Sequence, residues 1–204
     1  MDHAETFNNR GGYPDRLANK GFVATQVFVT NNPNEFVWVA NLHTHAFDSQ
    51  ARADQLVQLQ AFLATLPLTN PVLVLGDFNI RADGDYPTSG FNPEYAVLCS
   101  ILADFDDLAH GRGLITSSWY QSAYEHQFND EEPDKRLDYI FLRQGSVYAL
   151  DLENSSNNVA VVNSPQGMWY TSLCRIWSWD LTSSFICHYS DHFGLRANLK
   201  FRQR

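Results

Sequence analysis

Residues 72–79 read Val72-Leu73-Val74-Leu75-Gly76-Asp77-Phe78-Asn79. The first four are a short, wholly apolar run, which predicts a strand buried on both faces. The run stops at a Gly-Asp-Phe-Asn cluster with the composition of a turn. A buried strand that delivers an acid and an amide to its end belongs to a layered sheet, where polar residues at strand ends collect on one rim.

The same pattern recurs in both directions. Upstream, Phe22 to Val29 is rich in β-formers, Asn31-Asn32-Pro33-Asn34 reads as a turn, and Phe36 to Leu42 is a second apolar run. Two strands around a short turn predict an antiparallel hairpin. The second strand runs into Asn41-Leu42-His43-Thr44-His45. Between the two apolar runs the period changes: Leu56, Leu59, Leu63 and Leu66 recur at helical spacing, which predicts a helix over 51–66 ended by Pro67. Downstream, Pro93 to Leu102 predicts a helix with proline at its first position. Leu137 to Leu142 predicts a strand carrying Asp138. Phe193, Leu195, Ala197, Leu199 and Phe201 alternate as one half-buried strand just after Ser190-Asp191-His192. Residues 1–20 are polar and turn-rich and predict loop. Strands mixed with helices point to a layered α/β or α+β sandwich, and 204 residues suffice for one domain over 1–204.

Composition narrows the function. Hydrophobic residues make up 44% and aromatics 14%, which suits a packed domain and excludes a disordered tail. The formal net charge of -9 argues against a protein that lives on the nucleic-acid backbone, since phosphate neutralisation needs a basic surface. Cys99, Cys174 and Cys187 show no CxxC spacing, so they read as small buried hydrophobes, with a Cys174–Cys187 bridge left open. No apolar stretch approaches the roughly 20 residues that span a bilayer. Met1-Asp2-His3-Ala4-Glu5 lacks the pattern of a signal peptide.

The polar clusters at the strand ends have a shared chemical logic. Phosphodiester cleavage needs charge neutralised on the non-bridging oxygens, a base for the attacking water and help for the leaving oxygen. A hard divalent cation with oxygen ligands supplies the first, and Asp77 and Asp191 are carboxylates of that kind. His192 suits a general base near neutrality, with Asp138 as the carboxylate that orients it. Asn79 and His43 are donors for phosphoryl oxygens. His45 would share the face of His43 on an extended strand, as a supporting or an exposed residue.

Asn41-Leu42-His43, Gly76-Asp77-Phe78-Asn79, Arg136-Leu137-Asp138-Tyr139-Ile140 and Ser190-Asp191-His192-Phe193, in that order, resemble the endonuclease/exonuclease/phosphatase superfamily over about residues 16–201. The neutral, Mg²⁺-dependent sphingomyelinase branch is the most similar. Leu17-Ala18-Asn19-Lys20-Gly21-Phe22, the His-x-His after the strand, Arg52-x-x-Gln55-Leu56 and a Trp-rich approach to Tyr189 carry that likeness. The resemblance implies a DNase I-like, four-layered sandwich of two mixed β-sheets flanked by helices. It implies His192 as base and Asp138 as its orienter. Asp77 would stand beside metal and phosphate, His43 and Asn79 on the phosphoryl group, and Asp191 near Mg²⁺. The reaction it implies is sphingomyelin plus water giving ceramide and phosphocholine. A nuclease or phosphoinositide phosphatase on the same scaffold, or a non-catalytic remnant, are the alternatives.

The superfamily also has an N-terminal third that finds no counterpart here. That third carries the Glu that is the principal Mg²⁺ ligand. Glu5, outside an apolar strand, and Glu35, in a turn, do not replace it. The expectation is therefore an N-terminally truncated or fragmentary domain that hydrolyses poorly or not at all. Trp169-Tyr170, Ile176-Trp177-Ser178-Trp179 and Phe185-Ile186 form a late aromatic cluster, read either as core packing or as a loop that dips into lipid. The acidic balance and the branch resemblance favour a phospholipid at a membrane surface over a stable nucleic-acid partner. The bacterial sphingomyelinase pattern would make the full-length protein secreted or membrane-peripheral. Oligomeric state has no signature in the sequence.

Overall fold

The computed structural model describes residues 2–13, 15–17, 19–82, 92–117, 134–152, 159–162 and 194–204. Asp191, His192, Phe193, Cys174, Cys187 and the late aromatic cluster lie outside the described residues.

The apolar run at 72–75 forms one of the inner strands of a six-stranded sheet. The order across that sheet is β1 (His3–Thr6), β2 (Gly21–Phe28), β3 (Phe36–His43), β4 (Val72–Asp77), β6 (Asp138–Arg143) and β5 (Asp106–Asp107). The predicted hairpin is β2 with β3, antiparallel from Gly21↔His43 to Phe28↔Phe36. Its turn closes where Val29 N–H donates to Glu35 O and Glu35 N–H to Asn32 O. Strand β4 joins β3 in parallel, and a parallel pair requires a crossover, which α1 (Ser49–Leu63) provides. Strand β6 returns antiparallel to β4.

Both faces of β4 are covered, as its composition predicts. Val72 and Val74 enter a core with Ala24, Ala40, Leu56, Leu59 and Leu63, together with Tyr95 and Leu98 of α2 (Pro93–Ile101). Leu73 and Leu75 pack on the opposite core with Val37, Ile140, Leu142 and Leu150. That second core is closed by two antiparallel pairs, β7 (Tyr148–Leu152) with β10 (Leu199–Gln203) and β8 (Val159–Val162) with β9 (Gly194–Ala197). The described residues thus form a helical layer, a mixed sheet and a further β layer.

Four expectations change. Residues 1–20 are not all loop: β1 pairs with β2 from His3↔Ala24 to Thr6↔Gly21, because a neighbouring ladder holds a polar segment that its own pattern would not. Glu5 therefore sits in a strand. Helix α1 ends at Leu63 with Ala64 as its cap, before Leu66 and Pro67, and it starts on Asp48, whose carboxylate accepts the Ala51 N–H. Leu66 still reaches the core from the following turn. The alternating stretch after residue 193 is two strands, broken at Asn198, as the chain leaves β8 for β7. The second sheet expected to be mixed is, in its described strands, two separate antiparallel ladders.

Candidate functional site

Strand register decides which end residues meet. His43 is the register partner of Asp77, and Asp77 that of Asp138. Cross-strand partners point to the same face, so three candidate side chains from β3, β4 and β6 stand abreast at one end of the sheet. His43 Nε2 lies 3.3 Å from Asp77 Oδ2. The His43 side chain is 53% exposed and that of Asp77 only 17%, so the imidazole forms the solvent-facing lip and the acid the floor.

Gly76 and Asn79 shape this end. Gly76 has φ +132°, and a Cβ there would stand 2.0 Å from Leu42 O, so β3 and β4 can close on one another only at a glycine. Asn79 has φ +51°, a conformation that asparagine tolerates. Its N–H donates to Asp77 Oδ1 at 2.8 Å and its Nδ2 to Thr44 O at 3.0 Å. Thr44 N–H donates to Asp77 O at 3.0 Å, and Thr44 Oγ1 donates to Phe78 O. The two strand ends are therefore laced together. Asn79 spends one amide hydrogen on that lacing. Asp138 is braced at its backbone by Thr116 Oγ1, which accepts from Leu137 N–H at 3.0 Å and Asp138 N–H at 3.2 Å. Two residues before Asp138, the buried Arg136 guanidinium holds Asp107 through two hydrogen bonds, 2.8 and 3.1 Å.

His45 is neither on the face of His43 nor exposed. Strand β3 has ended, and the ring is buried at 1% exposure. Its Nδ1 accepts the N–H groups of Phe47 and Asp48, and its Nε2 lies 3.2 Å from Gly12 O. Gly11, at φ +61°, leaves room for that ring: a Cβ would come within 2.3 Å of it. His45 is a clasp between two loops.

Two residues missed as site candidates stand beside His43. Lys20 Nζ lies 2.6 Å from His43 Nε2 and 3.4 Å from Asp15 Oδ1. An ammonium can only donate, so Nε2 accepts where it faces Lys20, whereas the Asp77 carboxylate 3.3 Å from the same atom favours a proton there. Asp15 Oδ2 also accepts the Ala46 N–H at 2.6 Å. Burial alone would raise the Asp15 pKa, but the Ala46 N–H and the Lys20 charge together hold it below the usual carboxylate value. The signal for Lys20 was the hairpin register: pairing Phe28 with Phe36 places Gly21 opposite His43, and Lys20 just precedes Gly21. A groove of about 520 Å³ runs from His43 past Lys20, Asn41 and Val23 to Ala4 and Thr6. Glu5 also lines it, but its carboxylate turns to the helical side, where Gln58 Nε2 and His3 bind it and lower its pKa.

The sequence matches the Endonuclease/Exonuclease/phosphatase family over residues 4–192, and the chain belongs to that family. It is similar to Sphingomyelinase C of Listeria ivanovii, 27% identical over 204 residues that cover 95% of this chain and 54% of that protein. It is likewise similar to Sphingomyelinase C of Bacillus cereus, 28% identical over 95% of this chain and 56% of that protein. The chain therefore spans about half the length of the curated relatives it matches. Among solved structures, the fold is shared with SmcL, at TM-score 0.65 and 23% identity over 95% of this chain and 63% of that one. It is also shared with a Staphylococcus aureus beta toxin variant with bound magnesium ions, at TM-score 0.63 and 19% identity over 93% and 61% of the two chains. D. rerio TDP2 complexed with single-strand DNA product has it too, at TM-score 0.61 and 18% identity over 98% and 67%.

Proposed function

We propose that the rim bearing His43, Asp77, Asn79 and Asp138, together with Asp191 and His192 outside the described residues, is a metal-assisted phosphodiester-hydrolysing site. Its proposed substrate is sphingomyelin, cleaved with water to ceramide and phosphocholine. The observation that carries this reading is the register row His43–Asp77–Asp138, which sets an imidazole and two carboxylates abreast at one sheet end.

In this reading water attacks phosphorus and the bond to the ceramide oxygen breaks. His192 takes the proton from water, with Asp138 as the carboxylate that orients its ring. Asp77 assists the leaving oxygen. His43 and Asn79 bind the non-bridging oxygens, with Lys20 close enough to add its charge. His43 must then give up its bond from Lys20 or present a proton on Nε2. Magnesium, when bound, would neutralise phosphoryl charge. Among the described residues no group of three or more His, Cys, Asp or Glu is set to hold a metal. Asp77 is the described residue offered as a ligand, with Asp191 its proposed partner.

The likeness to sphingomyelinases and the acidic balance favour a lipid headgroup over DNA. The fold shared with a DNA-bound enzyme keeps a nuclease as the second reading. A panel in Mg²⁺ separates them. The proposal expects slow release of phosphocholine from sphingomyelin by the 204-residue chain, reduced about 10²-fold further in His43→Ala. Nicked plasmid or free phosphate in place of phosphocholine would overturn it.

A further inference from the structure

The three most exposed large apolar side chains among the described residues are Phe47 at 75%, Tyr13 at 74% and Leu17 at 74%. All three come from two loops that are clasped together. Gly12 O meets the buried ring of His45, and Asp15, two residues from both Tyr13 and Leu17, accepts the N–H of Ala46. Arg52 Nη1 holds the same loop from below, donating to His45 O at 2.9 Å and Ala46 O at 2.8 Å. The apolar side chains therefore project from a braced platform. Asp15 also pairs with Lys20, which reaches His43, so the platform adjoins the rim.

We propose that this platform is a lipid-surface contact that seats the site on a bilayer of zwitterionic phospholipid. It rests on the reading of the rim as a lipid-headgroup site. Clustered, exposed large apolar side chains mark interaction surfaces, and a phenol and a phenyl on loop tips suit the boundary between headgroups and acyl chains. Local charge supports lipid phosphate as the neighbour. Residues 10–20 carry three basic groups and one acidic group and the facing loop adds Asp48, so the platform is net +1 in a chain of net charge -9. The overall negative charge disfavours an anionic bilayer and so selects the zwitterionic one.

The test is co-sedimentation of the 204-residue chain with sphingomyelin–phosphatidylcholine vesicles in EDTA, where binding is read without turnover. The triple variant Tyr13→Ser, Leu17→Ser, Phe47→Ser should bind about tenfold more weakly or worse, with an unchanged melting temperature. A folded triple variant that binds as well as the original chain would overturn the proposal. So would an original chain that stays in the supernatant, including one that self-associates through the patch. Failure of the hydrolytic reading is distinguishable: phosphocholine would be absent from the panel in Mg²⁺ while patch-dependent vesicle binding in EDTA persisted.

Discussion

Lys20 Nζ stands 2.6 Å from His43 Nε2, and Asp77 Oδ2 stands 3.3 Å from the same atom, so His43 sits between a cation and an anion. Lys20→Met removes the cation without shortening the apolar stem. It should lower the proposed sphingomyelin hydrolysis about 10²-fold, and a rate within twofold of the parent would remove Lys20 from the site. Asp15 gives a pH signature. Its pKa in the folded chain lies below the ordinary carboxylate value, so its contribution to stability is present above that value and is lost as pH falls through the lowered one. Chemical denaturation of Asp15→Asn should show a deficit at pH 7 that shrinks toward pH 3; a deficit independent of pH would contradict the pairing. At this scale, the four described candidates could be placed from sequence because each follows or begins an apolar strand. Lys20 could be placed only once the hairpin register was known, and Asp15 not at all, because its partner Ala46 meets it only through the loop clasp.

Element boundaries follow from the caps. Asp48 and Asn92 each accept a backbone N–H from the first turn of their helix. Leu59 of α1 is fully buried against the sheet, so Leu59→Ala should cost about 2–5 kcal/mol in chemical denaturation. Arg52 is buried at 7% exposure and binds His45 O, Ala46 O and Glu94 Oε2, which ties α1 to α2 and to the loop after β3. Arg52→Met should cost about 3 kcal/mol, because two carbonyls and a carboxylate lose a charged donor. A cost below 0.5 kcal/mol, order-of-magnitude, would show that these bonds do not hold the loop. Helix α2 and the β2–β3 hairpin were plain in the sequence because Pro93, Asn31 and Pro33 punctuate clear periodic runs. Strand β1 was not, since four mixed residues carry no period. The break at Asn198 was not either, because the apolar alternation continues across it while the partner changes from β8 to β7.

Across the described residues, the sheet carries a helical layer on one face and a β layer on the other, and the candidates His43, Asp77, Asn79 and Asp138 lie at one end. The net charge of -9 predicts weak retention on a DNA column at physiological salt, a property a nuclease reading would not share. The layered class was legible because β4 is apolar on both faces, whereas the pairing of β7 to β10 depends on contacts between distant segments. The most direct test of the central claim is the ring resonance of His43 by NMR, assigned with His43→Ala and titrated with phosphocholine in Mg²⁺. The account predicts a saturable shift of that resonance with phosphocholine and none with a single-stranded oligonucleotide. A His43 ring that ignores phosphocholine but responds to the oligonucleotide would contradict it.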